Sequence, residues 1–295
     1  MSKSAEQRVR DLSCWSGTVM LEPLKGGLSN ASFIVTDGCG KYVARVGEDF
    51  PCHHVFRDRE ARASRAAYEA GLSPEVVHAE PGLMVVRFID AHTFSEDDVR
   101  HNLERCAGIL KKCHRDMKRR VTGPASVFWV FHVLRDYAHT LKKGGHSRAQ
   151  DIPRWLAEVD ALEDAQVPLP VVFGHHDLLP GNFMDDGQRL WLIDWEYGGF
   201  GTAMFDLANI SANNSFSMAE ERRLLDIYFE KTPDEATQRA FDAMKTASAL
   251  REATWGMVSE LHLNAPGVDY VAHANEYLGR YERALKTFHD RYGAS

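Results

Sequence analysis

Residues 171–196, VVFGHHDLLPGNFMDDGQRLWLIDWE, decide the reading of this chain. The apolar run Val171, Val172, Phe173 ends at Gly174 and predicts a short strand. His175 follows, with Asp177 two residues on and Asn182 five residues after that. Asp185-Asp186-Gly187 is a turn signal of the Asp-Gly type and predicts a second pair of strands around it. The next apolar run, Leu190 to Ile193, delivers Asp194 at its end. A strand, a loop and a strand thus bring two carboxylates and one amide close together.

That trio has a chemical logic. Asn182 and Asp194 are hard oxygen donors, able to hold Mg²⁺ while it keeps its waters and binds phosphates. Asp177 is a separate carboxylate, able to accept a proton from an attacking hydroxyl. Phosphoryl transfer needs those two functions and little covalent chemistry. The competing reading is a hairpin with carboxylates in its polar turns. The order H-x-D-x-x-x-x-N, then a strand, then Asp resembles the catalytic loop and metal-binding Asp of protein-kinase-like enzymes. Asp194-Trp195-Glu196 stands where those enzymes have Asp-Phe-Gly. In wording, HHDLLPGNF followed by LWLIDWEYGG is similar to the choline/ethanolamine kinase and aminoglycoside phosphotransferase group. The resemblance implies an α+β, protein-kinase-like fold of two lobes, with ATP and Mg²⁺ as cofactors. Residues 1–89 would form the nucleotide-binding N-lobe and residues 90–295 the C-lobe, with the catalytic loop and acceptor site.

Upstream, the pattern fits that expectation. A short helix is predicted over residues 4–15. Strands follow over 19–24, 31–36 and 41–46, with Asp37-Gly38-Cys39-Gly40 as a hairpin turn. The turn Lys25-Gly26-Gly27-Leu28-Ser29-Asn30 is able to cover phosphates, with Gly26 and Gly27 offering backbone N–H groups and Ser29 and Asn30 side-chain donors. It resembles the nucleotide loop of choline kinases. The third strand carries Arg45 where protein kinases place a Lys, and a guanidinium suits phosphate oxygens because its planar fork donates two bonds. Residues 56–70 read as a helix ending at Gly71, and Glu60 in it is the expected ion-pair partner of Arg45. Strands over 75–79 and 83–89 complete a five-stranded antiparallel sheet with one helix.

Downstream the chain turns helical. Ser95 is placed to cap a helix whose first turn is acidic, and a spacing of three and four apolar residues runs on to His114, expected as a helix-end histidine. Further helices are predicted over 127–142 and from Asp151 to about residue 165. His175 is expected to orient the loop from beneath, and His176 to face the substrate or nothing. Gly198-Gly199-Phe200-Gly201 reads as a loop, and Asp206 as a cap or loop brace. Helices are expected over about 218–231, 234–263 and 268–290. In the second, Arg251 to Met257 resembles the stretch whose aromatics cage a quaternary ammonium in choline kinases. Trp255 matches the first Trp of that stretch, and Val258 stands in place of the second. Such a cation is recognised by aromatic faces and nearby carboxylates, and Trp195, Glu196, Tyr197, Glu252 and Trp255 are the candidate substrate residues. Trp255 reads equally well as a packed core residue.

The composition of 295 residues, 44% hydrophobic and 26% charged, is that of a globular protein with a sizeable core. A net charge of −7 spread along the chain argues against a nucleic-acid partner. Five cysteines without a C-x-x-C pair suggest free thiols in a reducing compartment, and no apolar run is long enough for a membrane span. A cytoplasmic protein without a signal peptide and without membrane insertion is expected. The function these readings imply is a kinase that moves the γ-phosphate of ATP to the hydroxyl of a small amino alcohol, choline or ethanolamine first. Aminoglycoside, thiamine and homoserine kinases are the alternatives, and a non-catalytic nucleotide-binding protein of kinase fold is the alternative of another class.

Overall fold

A computed structural model describes residues 3–24, 30–265 and 267–293. Alternating apolar residues build the first layer. Strands β1 (Met20–Leu24), β2 (Ala31–Asp37), β3 (Gly40–Val46), β4 (Val76–Glu80) and β5 (Leu83–Arg87) form one antiparallel sheet in the order β1-β2-β3-β5-β4. Tyr42, Ala44 and Val46 point from one face of β3 into a small core with Val35, Leu83 and Val85. The pleat therefore turns Arg45 to the opposite face. Helix α1 (Ala5–Arg10) closes the small core with Val9 and is shorter than the expected 4–15. Helix α2 (Arg57–Glu69) lies where the sequence predicts it and packs along β4. The sheet and α2 form an N-lobe, and a mainly helical C-lobe follows, in a kinase-like architecture.

The C-lobe begins with β6 (His92–Thr93) and α3 (Glu96–His101), whose N-terminus is a capping box between Ser95 and Asp98. Helix α4 (Leu103–Asp116) follows after a break at Asn102, so the single expected helix is two. Next come α5 (Val130–Lys143), α6 (Ile152–Asp164) and β7 (Val171–Gly174), then β8 (Phe183–Asp185), β9 (Leu190–Leu192) and β10 (Gly199–Thr202). The chain ends in α7 (Ala203–Asn213), α8 (Met218–Phe229), α9 (Glu235–His262) and α10 (Tyr270–Tyr292). Helix α9 is the axis of this lobe and touches α5, α6, α7 and α10. At Gly256 an added Cβ would lie 3.0 Å from Ala274 Cβ, so the missing side chain is what lets α10 approach.

The Asp-Gly turn joins β8 and β9 as expected, with Asp186 accepting bonds from Gln188 N and Arg189 N, both at 2.8 Å. The stretch 198–201, expected as a loop, is corrected: Gly199–Thr202 is a strand paired with β7. Phe128 N donates to Phe200 O and Phe200 N to Ser126 O. Those bonds explain why α5 starts at Val130 rather than at 127. At Gly201 a Cβ would sit 2.7 Å from Phe128 O, so the glycine is needed for three backbones to converge. No helix among the described residues is long and apolar enough to cross a membrane.

Candidate active site

The loop after β7 is held from below. Asp206 in α7 is fully buried, and its carboxylate accepts from His175 N at 2.9 Å and His176 N at 2.8 Å. His114 Nε2 lies 2.8 Å from the same carboxylate, and His114 Nδ1 lies 2.8 Å from Tyr228 OH. Burial pushes the Asp206 carboxyl up, but His176, His114 and the His175 N–H outweigh it and hold the group well below the usual carboxylate range. Asp206 is thus a loop brace, not a helix cap. His114 lies in the last turn of α4, as expected, and is also a buried part of that brace. Asn209 Oδ1 accepts from Leu178 N at 2.6 Å and Asn214 Nδ2 donates to Leu178 O at 3.1 Å, fixing the residue after Asp177.

The two histidines divide their work. His175 Nε2 donates to Ile193 O at 2.8 Å, and its Nδ1 accepts from Asp177 N at 3.3 Å. It therefore ties the loop to the strand end that carries Asp194. His176 does not face a substrate: its backbone is left-handed at φ 66, its ring stacks on Phe128 at 4.3 Å, and Nδ1 donates to Tyr197 O. Burial pushes its pKa down to about 4. Burial, with Arg251 next, likewise pushes His53 down to about 3. Both rings are neutral in the fold, while an unfolded histidine takes a proton near its ordinary 6.5. The unfolded chain therefore binds more protons below that point, and stability is full above it and lost as pH falls. Thermal melts should drop steeply between about pH 6.5 and about pH 4. A flat profile over that window would contradict the neutral, buried assignment.

Asn182 is tied to the residue before Asp194, because Ile193 N donates to Asn182 O at 3.0 Å. The Asn182 amide donates through Nδ2 to Asp177 O at 2.7 Å and to Asp177 Oδ2 at 3.3 Å, which leaves Oδ1 for a cation. Asp194 sits in the left-handed region at φ 69, a conformation Asp tolerates better than most residues. Among the described residues no three His, Cys, Asp or Glu side chains are grouped to hold a metal. An amide oxygen and a carboxylate on neighbouring, hydrogen-bonded backbone segments, with no closed cage among the described residues, fit a hard dication that keeps its own waters.

An ion chain crosses from this point into the N-lobe. Arg45 Nη2 donates to Asp194 Oδ1 at 3.0 Å, and Arg45 Nη1 lies 3.0 Å from Glu60 Oε1. Arg57 Nη1 donates to Glu60 Oε2 at 2.7 Å and to Glu196 Oε2 at 3.0 Å. The expected pair of Arg45 with Glu60 is present, and Arg57 was not foreseen. Burial and the neighbouring Asp194 push Glu196 up to about 7. Asn30 lines a narrow cleft beside Arg45 and Glu60. Gly26, Gly27 and Ser29 lie outside the described residues.

An aromatic corner lies around Arg251 and Glu252, whose charges act on Asp177. Trp255 Nε1 donates to Tyr197 OH at 3.0 Å, and the Arg251 guanidinium lies 4.3 Å over the Tyr197 ring. Glu252 pairs with Arg251 and stands 4.0 Å from His273 Nε2. His273 packs against Trp255 at 5.4 Å and against Tyr277 at 4.7 Å. Burial pushes the Asp177 carboxyl well above the usual range, and Glu252 adds to the rise. Trp195 is corrected: it is 1% exposed, its indole donates to Ser73 Oγ at 2.7 Å, and it belongs to the core. Glu196 reaches the N-lobe through Arg57 rather than joining Trp255. Val258 is buried, and Tyr270 and His273 of α10 supply rings beside Trp255, with Tyr277 packed against His273. The available signal for them was their spacing of three and four on one helix face. A separate cavity of about 510 Å³ between α7, α9 and α10 includes none of these side chains.

Known proteins are similar to this chain in sequence and fold. The chain is 26% identical over 213 residues to protein LicA of Haemophilus influenzae, covering 70% of this chain and 62% of LicA. To a probable ethanolamine kinase of Arabidopsis thaliana it is 28% identical over 236 residues, covering 69% of this chain and 62% of the relative. The matched region thus spans less than two thirds of either relative's length. The solved structure of a choline/ethanolamine kinase family protein from Mesorhizobium loti superposes with a TM-score of 0.72 at 29% identity, covering 92% of this chain and 88% of that one. Residues 21–245, from the first strand through the loop after β7 into α9, match the family described as APH, phosphotransferase enzyme family, and the chain belongs to that family.

Proposed function

We propose that the protein is an ATP-dependent kinase acting on the hydroxyl of a small amino alcohol, choline or ethanolamine. One observation supports it most: two buried carboxylates, Asp177 and Glu252, are set among the rings of Tyr197, Trp255, His273 and Tyr277 beside an oxygen pair suited to Mg²⁺. Asp177, Glu252 and Arg251 together leave one net negative charge in a dry corner. A small cation placed there stabilises both carboxylates, and the rings accept an ammonium that has no N–H to donate. The names of the relatives point the same way.

The roles follow from position. Arg45 would hold ATP phosphates, kept in place by Glu60, with Asn30 beside them in the same cleft. Asn182 and Asp194 would hold Mg²⁺, which when bound neutralises phosphate charge. Asp177 orients the acceptor hydroxyl and takes its proton as the oxygen bonds to the γ-phosphorus and the bond to the ADP oxygen breaks. Glu252 and Trp255 seat the ammonium end.

Charge reading at Glu252 is testable. Glu252→Gln is expected to raise the acceptor KM on the order of tenfold to a hundredfold, with the KM for ATP nearly unchanged. The parent should prefer choline strongly over the neutral alcohol in which carbon replaces the ammonium nitrogen, and the variant should narrow that preference. A thermal melt of the same variant checks that Arg251 tolerates the loss of its partner. Equal use of the charged and neutral alcohols by the parent would remove the cation argument.

A further inference from the structure

The segment between β3 and α2, residues 47–56, starts in the N-lobe and ends its reach in the C-lobe. Its base is fastened to the first residue of α2. Arg57 N donates to Asp49 Oδ1 at 2.8 Å, Arg57 Nε donates to Glu48 O at 2.9 Å, and the guanidinium lies 5.6 Å from the Phe50 ring centre. Phe50 and Val55 then close the segment on itself by two backbone bonds, at 2.9 and 3.1 Å. This leaves Pro51, Cys52, His53 and His54 as a tight tip.

The tip is buried in the other lobe. His53 is 2% exposed. Its Nδ1 lies 3.2 Å from Tyr137 OH on α5 and its Nε2 lies 3.0 Å from Ser259 Oγ on α9. A neutral imidazole satisfies both hydroxyls, one nitrogen donating and the other accepting. The ring lies over Trp255, with centroids 5.1 Å apart and planes 33° apart. His54 adds a second anchor through Nε2, 2.8 Å from Asp136. Arg57 at the base is the same residue that bonds Glu60, and Glu60 pairs with Arg45. One continuous set of contacts therefore runs from Arg45 to the back of Trp255.

We propose that residues 47–56 are a strut coupling the nucleotide side to the acceptor side, with His53 as the positioning residue that sets the Trp255 ring. The inference rests on the reading of Arg45 as a phosphate holder and Trp255 as an acceptor wall. Phosphates at Arg45 compete with Asp194 and Glu60 for its guanidinium. Any shift of Glu60 is passed to Arg57, which grips the base of the strut at Asp49 and Glu48. His53 then carries the shift to Trp255, and by linkage an acceptor seated on Trp255 acts back on the nucleotide side to the same extent. Packing alone would make His53 matter for stability and leave Trp255 indifferent to nucleotide.

The indole N–H resonance of Trp255 reads this directly, identified by its loss in Trp255→Phe. Mg·ADP is titrated into the parent, His53→Gln and His53→Phe. The parent resonance should move on saturation. His53→Gln keeps hydrogen bonding to Tyr137 and Ser259 but has no ring, so it should fold, bind Mg·ADP and lose the movement. His53→Phe restores a ring over Trp255 and should recover part of it. If Mg·ADP binds the parent without moving the resonance, or if His53→Gln keeps the full movement, the strut is overturned while the kinase reading stands. If Mg·ADP does not bind the parent, the kinase reading falls and the coupling falls with it.

Discussion

Asp177→Asn is expected to slow phosphoryl transfer by about 10³-fold while leaving the melting temperature unchanged or higher. The amide has the size of the carboxylate, so the loop braced by Asp206, Asn209 and Asn214 has no reason to move. Asn182 Nδ2 keeps its 2.7 Å bond to the residue 177 backbone oxygen. What disappears is the proton acceptor. Stability follows from the sign of the shift. Burial, with Glu252 next, raises the Asp177 carboxyl well above its ordinary value. A carboxyl raised on folding destabilises the fold once it is charged, so the charged form is a burden that grows as pH rises above the unfolded value. A neutral amide lacks that burden. Activity and stability should therefore move in opposite directions, a pattern expected where a site keeps a strained charge for chemistry. A variant that keeps the parent rate, or that melts well below it, contradicts the assignment.

Asp194→Asn is expected to lower kcat/KM on the order of 10²- to 10³-fold and to raise the Mg²⁺ concentration needed for half-maximal rate. Asparagine is the informative replacement. It tolerates the left-handed backbone at φ 69, where alanine would add strain, and it retains an oxygen for Arg45. Glu60 continues to pair with Arg45 in the variant. The fold should hold, and the loss should be that of one negative oxygen donor facing the cation. Titrating Mg²⁺ at saturating ATP reads it. An unchanged Mg²⁺ requirement would mean that Asp194 serves only as the partner of Arg45.

Much of this was legible in one stretch of sequence because the relevant residues are close along the chain. Asp177, Asn182 and Asp194 fall within a loop and a hairpin whose turn residues are explicit, so their convergence follows from local geometry. The five-stranded sheet was legible from alternation, and Arg45 with Glu60 from a strand followed by a helix. Strand β10 was not, because Gly199 and Gly201 carry no side-chain pattern and their pairing with β7 and with residues 126–128 is long-range. The break at Asn102 was hidden for a related reason: no Gly or Pro marks it and the apolar spacing runs through it. Trp195 misled because loop residues have no period, so sequence does not tell an inward ring from an outward one. His53 and His273 come to Trp255 from opposite sides in sequence, on a loop tip and on a helix that Gly256 lets approach.

The most direct measurement is of the product itself. Purified protein with Mg·ATP is offered choline, ethanolamine, thiamine, homoserine and an aminoglycoside separately, and phosphorus NMR follows the fate of the γ-phosphate. A new phosphomonoester signal with choline or ethanolamine, absent with Asp177→Asn, is the predicted result. A phosphomonoester on none of the five, or one that Asp177→Asn forms as fast as the parent, would contradict the account.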